Sequence, residues 1–483
     1  MIIFPSLGYF IFLAAIVLLY WRLSRRWQNG LLLAASYVFY ASWDWRFLGL
    51  IIGATVVVFF SGLRIKWAKT GFERKAFFFG AVFLIVGMLC YFKYYNFFID
   101  SLDGFFGFWH VDVSKLHLEI ILPLGISFYT FQLLSYVIDI YRGVLDPVDS
   151  FPDLALFVAF FPKLLAGPIE KPKPFLAQIE RERVFSKSQF MEGVDLIVWG
   201  LMKKLVVADN LGLYVNMIFA LKSPSVALLF LGGFGFGLQV YADFSAYTDL
   251  ARGSSKLLGL ELMRNFNRPF LARNPSDFWN RWHISLVQWM KDYIYMPLAV
   301  NLTKKHPFLG YVIAIIISWS FIGLWHGAEW KYLAWGLYYA VIIIVYQLLI
   351  KPVLDRIWKE NFLTHAFSIL ITYFMVNIGF LWSRTPSLGL LWNQIAEETR
   401  WHAGRPLFEK SFSDGDVVLV LLCVFLFYSI PLFVSIFWDG WQSRKHWDLG
   451  KIYGLRILYY AVAGILLMVF AGVDSYDFIY FRF

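Results

Sequence analysis

The chain has 483 residues, of which 59% are hydrophobic, 20% aromatic and 16% charged, and its formal net charge is +10. Soluble domains are about 45–50% apolar and about 25% charged, so this composition excludes an ordinary soluble protein and predicts an all-α polytopic membrane protein in a lipid bilayer. The positive charge is typical of cytoplasmic loops and anionic headgroups, and it does not predict nucleic-acid binding.

The first apolar stretch, residues 2–21, has no basic segment before it. Arg22, Arg25 and Arg26 follow it instead. This order predicts a retained first helix with its N-terminus outside, because a cleaved signal peptide carries its positive charge first.

Apolar segments recur along the whole chain and predict about ten to thirteen membrane segments of roughly 20 residues. Several, such as 31–43 and 154–168, are short, so we expect re-entrant or interfacial pieces among them. We find no linker, low-complexity tract or solenoid repeat. The simplest division is a single integral membrane domain over residues 1–483.

Two loops are rich in lysine and arginine, at residues 163–187 and 252–273. A cytoplasmic position is expected for both, because basic residues accumulate on that face. They could serve only to fix the topology, or they could also attract an anionic substrate.

Asp243 and Asp249 end the apolar run of residues 226–247, just before the second basic loop. We favour salt bridges to Arg252 or Arg268. The alternative is that these carboxylates form a polar wall of a reaction chamber.

Residues 275–297 are both charged and aromatic, and they predict an amphipathic helix at the membrane interface or along a polar cavity. Ser276 is the expected N-cap, and Pro297 is expected to end the helix. Its apolar stripe consists of Phe278, Trp282, Leu286, Trp289 and Tyr293. His283 projects about 100° from the centre of this stripe and fits an interfacial structural role when considered alone.

His326 is the most informative residue. It follows the apolar run of residues 311–325 directly and precedes Gly327. An ionisable side chain in a membrane segment usually faces a cavity and has a function, and imidazole is well suited to move a proton near neutral pH. The alternative is a buried histidine bonded to a backbone carbonyl.

His283 and His326 could converge on one cavity, since both have tryptophan-rich surroundings. Two histidines are too few for a zinc site, and no metal is expected. The serine-hydrolase elbow, the P-loop and the dinucleotide fingerprint are absent from the sequence. The glycines of residues 233–237 are more typical of a helix-packing face than of a phosphate loop.

Several blocks resemble the membrane-bound O-acyltransferase (MBOAT) family, and most closely its bacterial branch of alginate O-acetyltransferase-like proteins. They are RNFNRPF (264–270), FWNRWHISL (278–286), DYIYMP (292–297), GLWHGA (323–328), FFPKLLAGPI (160–169), LQVYADFSAY (238–247) and FIYFRF (478–483). The resemblance covers nearly the whole chain, and the Trp-His-Ile-Ser and Leu-Trp-His-Gly blocks in this order are highly specific.

The resemblance implies a ring of tilted helices around a central cavity, with the catalytic region at about residues 120–350. It implies an O-acyltransferase in the bacterial inner membrane that moves an acetyl or short acyl group to a hydroxyl on the other side. The donor substrate would be a cytoplasmic thioester such as acetyl-CoA, with no bound cofactor. The acceptor would be an exported polysaccharide, reached directly or through an extracytoplasmic SGNH-type relay protein.

Carried over by position, His326 corresponds to the family's near-invariant histidine and His283 to its second. His326 would accept the hydroxyl proton, and His283 would bind the acceptor or the developing oxyanion. A directly acylated histidine stays open, as does the role of Glu329. Further substrate contacts are expected from Trp325, Trp282, Asp243, Asn267 and Arg281.

Two other classes of function stay open. A transporter would also bury ionisable residues, but it should show two halves with matching broken helices, which we do not find. A scaffold for export would explain the aromatic content, although not an embedded histidine beside tryptophan and glycine.

Overall fold

The computed structural model describes residues 4–109, 112–221, 224–304, 306–357, 361–385, 417–433, 453–471 and 478, together with positions 389, 392, 393 and 396. Every regular element in these residues is a helix, which confirms the all-α class. The following helices in these residues are long and apolar enough to cross a membrane: Arg46–Trp67, Gly71–Trp109, Val226–Leu257, Pro307–His326, Trp330–Arg356 and Phe362–Arg384. The prediction of a multi-pass membrane protein is therefore confirmed.

The chain forms two compact units, and the first comprises Met1–Ile197, Leu250–Arg264 and Gln288–Ile294. Its longer helices are Leu7–Tyr20, Arg25–Asp44, Arg46–Trp67, Gly71–Leu89, Tyr95–Phe106, Ile126–Tyr141, Phe151–Ala159, Pro172–Glu180 and most of Lys187–Leu201. The predicted segment 154–168 is divided between Phe151–Ala159 and the short helix Phe161–Leu164. Neither piece is long enough to span a bilayer alone, as expected.

Lys163 in this unit is fully buried, although it belongs to the stretch 163–187 that was predicted to form a basic cytoplasmic loop. Its Nζ donates a hydrogen bond to Gln132 Oε1 at 2.6 Å and lies over the rings of Phe157 and Phe175. Removal from water lowers the pKa of this amine, although the nearby Glu170 carboxylate opposes the change. The Lys163 amine is therefore bonded inside the protein, and it offers no surface charge to an anionic substrate.

The second unit comprises Val198–Asp249, Asn265–Val287 and Tyr295–Phe483. Its main helices are Asp209–Ala220, Val226–Leu257 up to Asp249, Pro275–Trp279, Met296–Thr303, Pro307–His326, Trp330–Val345, Lys351–Ile357, Phe362–Arg384, Val417–Phe433 and Tyr453–Phe470. The glycines at 233–237 form a packing face as predicted, since a Cβ on Gly235 would lie 2.5 Å from the Phe425 ring.

Helices Pro307–His326 and Trp330–Val345 form a tight pair in the second unit. A Cβ on Gly323 would lie 2.3 Å from the Tyr332 carbonyl oxygen, and one on Gly336 would lie 2.3 Å from the Trp319 carbonyl oxygen. Only glycine permits this approach of two helix backbones. The pairing fixes the turn at 327–329 and, with it, the end of the helix that carries His326.

The predicted helix over residues 275–297 is wrong in its bounds. Helix Pro275–Trp279 is short, and Asn274 is its N-cap, because the Asn274 side chain accepts a hydrogen bond from the Asp277 N–H. A second helical run begins at Ile284, and Pro297 lies in the first turn of its continuation, Met296–Thr303. Proline is tolerated there because a first-turn N–H has no intrahelical partner.

Candidate active site

His326 is the last residue of helix Pro307–His326 and is partly buried. Its imidazole contacts the Trp325 ring at a centroid distance of 4.8 Å and the Trp335 ring at 5.0 Å. The ring is therefore held in place by aromatic neighbours at the end of the helix.

A small cavity opens beside His326. Its walls are the side chains of Phe236, Val240, Phe278, Trp279, Trp282, His326, Tyr332, Trp335, Tyr339, Phe380 and Ser383, and its volume is about 50 Å³. One water molecule needs roughly 10–15 Å³ on this scale, so the cavity has room for about three to five small atoms or groups. This space accommodates an acetyl group.

Gly327 allows the cavity wall to form next to the histidine. A Cβ on Gly327 would lie 2.1 Å from the Tyr332 ring, and Tyr332 lines the cavity. The Trp-His-Gly sequence thus has a packing reason. Glu329 is exposed and lies 3.2 Å from Lys331 Nζ, so its carboxylate faces solvent.

His283 lies at the break between the two helical runs, where its φ of 45° is left-handed. Histidine is one of the residues enriched in this region. Its imidazole is 1% exposed and contacts the Phe244 ring at 4.8 Å and the Trp325 ring at 5.5 Å. Burial, and secondly the nearby His326, lower the pKa of His283 well below its usual value, so it is neutral at pH 7.

Trp325 contacts both imidazoles, so the fold brings the two predicted histidines into one aromatic cluster. His326 lines the cavity, whereas His283 is not among the lining side chains. The part of the chain that the structure describes contains no group of three His, Cys, Asp or Glu side chains that could hold a metal ion.

Comparison with known proteins gives this site its context. The profile of the MBOAT, membrane-bound O-acyltransferase family, matches residues 148–384. The probable alginate O-acetylase AlgI of Pseudomonas aeruginosa is 36% identical over 394 residues, which cover 79% of this chain and 72% of that protein. The chain belongs to the membrane-bound O-acyltransferase family.

Two further relatives are named for peptidoglycan and teichoic acid. The peptidoglycan O-acetyltransferase of Helicobacter pylori is 31% identical over an aligned region that covers 74% of this chain and 71% of that protein. The teichoic acid D-alanyltransferase of Bacillus subtilis is 30% identical over 53% of this chain and 67% of its own length. Membership in this family favours the O-acyltransferase over the two other predicted classes of function, a transporter and an export scaffold.

The other predicted substrate contacts of the acyltransferase are divided by the fold. Trp282 lines the cavity, and Trp325 contacts both histidines. Asn267 and Arg281 do not line it: Asn267 is exposed, and its N–H donates to the Arg281 carbonyl oxygen at 2.9 Å. The Arg281 guanidinium pairs with Asp277 at 2.7 Å.

Asp243 is buried and absent from the cavity lining. Lys204 Nζ lies 2.8 Å from Asp243 and 2.9 Å from Asp209, and Lys203 Nζ lies 2.6 Å from Asp249. Salt bridges were predicted for both aspartates, but with Arg252 or Arg268 as partners and not with these lysines. They precede the aspartates by about 40 residues and belong to another helical segment.

Sequence reasoning missed several residues of the acyltransferase site. Trp279, Tyr332, Trp335, Tyr339 and Phe380 supply most of the cavity wall. Asn265, fully buried, accepts hydrogen bonds from the two residues after His283. The signal for the aromatic residues was the density of tryptophan and tyrosine around both histidines. No comparable signal exists for Asn265.

Proposed function

We propose that this acyltransferase moves an acetyl or similarly short acyl group from a cytoplasmic thioester, acetyl-CoA, to a hydroxyl outside the bacterial inner membrane. The acceptor is an exported polysaccharide, reached directly or through an extracytoplasmic SGNH-type relay protein. Relatives named as an alginate O-acetylase and a peptidoglycan O-acetyltransferase support a polysaccharide acceptor. The cavity volume of about 50 Å³ supports a short acyl group.

One observation carries the proposal. Among the cavity-lining side chains that the structure describes, His326 is the one whose usual pKa lies near neutrality. We propose that His326 takes the proton from the acceptor hydroxyl as its oxygen attacks the thioester carbonyl carbon. The carbon–sulfur bond then breaks, and the imidazolium returns the proton to the departing thiolate.

His283 contributes in its neutral form. A charged imidazole there would oppose the positive charge that forms on His326, and the burial of His283 prevents that charge. Since His283 contacts Trp325, which also contacts His326, we assign it a positioning role behind the cavity wall.

The test uses full-length protein in proteoliposomes with acetyl-labelled acetyl-CoA and alginate oligosaccharides, and follows both label transfer and release of the free thiol. His326→Ala should abolish both, with unchanged thermal unfolding. His306→Ala is the matched control, because His306 is exposed just before the other end of the same helix. Full activity in His326→Ala would overturn the assignment of the base.

A further inference from the structure

Trp279 is buried to 5% exposure and lines the same cavity as His326. Its indole Nε1 has no hydrogen-bond acceptor among the described residues. A buried N–H without an acceptor costs free energy, so a native protein rarely keeps one without a reason. This donor lies in the cavity wall beside the proposed base, so its position points to a bound substrate as the acceptor.

The Trp279 ring is held in place by other aromatic rings. It meets the rings of Trp319 at 4.6 Å, Tyr339 at 4.8 Å and Trp335 at 6.0 Å, with interplanar angles of 66°, 88° and 89°. Such edge-to-face contacts fix a ring's orientation. The direction of the N–H is therefore set by packing before any ligand binds.

Three other polar hydrogens of the cavity wall already have acceptors within the protein. The Trp335 N–H donates to the Gly379 carbonyl oxygen at 3.0 Å. The Tyr339 hydroxyl donates to the Val376 carbonyl oxygen at 3.2 Å. The Ser383 hydroxyl donates to the Phe380 carbonyl oxygen at 2.9 Å. These three groups stabilise the walls and have no hydrogen to offer to a substrate.

We propose that the Trp279 indole N–H donates a hydrogen bond to the carbonyl oxygen of the acyl group during transfer. This inference rests on the function proposed above. As the acceptor oxygen attacks, the carbonyl oxygen gains negative charge, which returns to form the ester carbonyl when the carbon–sulfur bond breaks. A fixed donor at that oxygen stabilises the transition state more than the ground state.

The decisive variant is Trp279→Phe, assayed in proteoliposomes with acetyl-CoA by thiol release, with alginate oligosaccharides or with water alone as acceptor. We expect kcat to fall by ten- to a thousandfold with either acceptor, because the acyl carbonyl is common to both. Thermal unfolding should change little, because the loss of ring packing is offset by removal of a buried donor without an acceptor.

Trp289→Phe is the matched control, since the Trp289 N–H donates to the Phe131 carbonyl oxygen at 3.0 Å and Trp289 is not in the cavity wall. It should lower the unfolding temperature and leave kcat near wild type. Replacing Trp279 with 3-benzothienylalanine removes only the N–H and keeps the bicyclic shape, so it decides the question if the phenylalanine variant folds poorly.

The outcomes separate the two proposals. Wild-type kcat in both Trp279 variants, with His326→Ala inactive, would overturn the role of Trp279 alone. Loss of activity in parallel with loss of stability in both Trp279 variants would make Trp279 structural. A loss confined to Trp282→Phe, which removes the third indole N–H of the cavity wall, would transfer the role to Trp282. Full activity in His326→Ala would instead overturn the proposed function.

Discussion

The side chain of Asn265 accepts a hydrogen bond from the backbone N–H of Ser285 at 3.1 Å. The Asn265 carbonyl oxygen accepts a second one from the N–H of Ile284 at 2.9 Å. Together they hold the start of the helical run that follows the left-handed His283. A buried amide thus fixes the turn on which the second histidine depends.

Asn265→Ala should therefore reduce both stability and activity. It leaves the buried Ser285 N–H without its acceptor, at a cost of about 1–3 kcal/mol, and loosens the backbone at His283. Thermal unfolding in detergent and thiol release per folded protein measure the two effects.

Asn377→Ala is the control for Asn265, because Asn377 is also buried and its Nδ2 donates to the Phe230 carbonyl oxygen at 3.2 Å. It should cost stability while retaining activity per folded molecule. Equal activities of the two variants would argue against a positioning role for Asn265.

His283 should make the protein less stable in mild acid. Its folded-state pKa is lowered by burial, so below about pH 6.5 the unfolded chain takes up a proton that the folded protein does not. The stability that this group contributes is present above pH 6.5 and is lost as the pH falls, by up to about 1.4 kcal/mol per pH unit.

The difference in unfolding free energy between wild type and His283→Gln isolates this proton. Measured by denaturant unfolding in detergent from pH 5 to 8, it should be constant above pH 6.5. Below that pH the wild type should lose stability relative to the variant. A difference that stays constant over the whole range would show that His283 titrates normally.

Gly327→Ala should disturb the cavity wall. Its Cβ would lie 2.1 Å from a ring carbon of Tyr332, so the tyrosine must move. Overpacking costs about 1–3 kcal/mol, and a displacement of about 1 Å beside the reacting groups can reduce kcat roughly a hundredfold. Thiol release and thermal unfolding test both parts.

Gly87→Ala provides the comparison for Gly327, because nothing lies within 4 Å of a Cβ built at Gly87. It replaces glycine inside helix Gly71–Leu89 and should stabilise the protein by about 0.5–1 kcal/mol. If both alanine variants behaved alike, contact with Tyr332 would not explain the glycine after His326.

Phe380 should limit the length of the acyl group. It lines the cavity and is buried, so Phe380→Ala enlarges the space beside His326. We expect wild type to use acetyl-CoA far better than hexanoyl-CoA and the variant to reduce that preference by at least about tenfold, since a few methylene groups contribute about 0.8 kcal/mol each.

Phe374→Ala is the control on the same helix, because Phe374 is 55% exposed and lies outside the cavity lining. Its preference for acetyl-CoA should match that of wild type. An unchanged preference in Phe380→Ala would show that acyl length is selected elsewhere.

Much of the fold and the two histidines were predictable from local sequence. Long apolar runs determine membrane helices because a bilayer leaves the backbone no other way to satisfy its hydrogen bonds. The apolar stripe Phe278, Trp282, Leu286, Trp289 and Tyr293 is buried throughout, as its spacing predicted, although the helix breaks within it. The periodic pattern of apolar residues predicts which side chains are buried. It does not predict a helix break that depends on the backbone conformation of one residue, His283.

Tertiary packing alone decided the rest. The turn at His283 depends on Asn265, some 18 residues earlier, and the ion pairs of Asp243 and Asp249 use lysines on another helical segment. The cavity beside His326 is built from side chains between residues 236 and 383, and Trp279 has its buried N–H only because three aromatic rings enclose it. Contacts between distant parts of a chain leave no period or spacing in its sequence, because they depend on how the helices pack. The sequence alone therefore determined the membrane class and the histidine proposed as the base, and only the folded chain determined what surrounds that histidine.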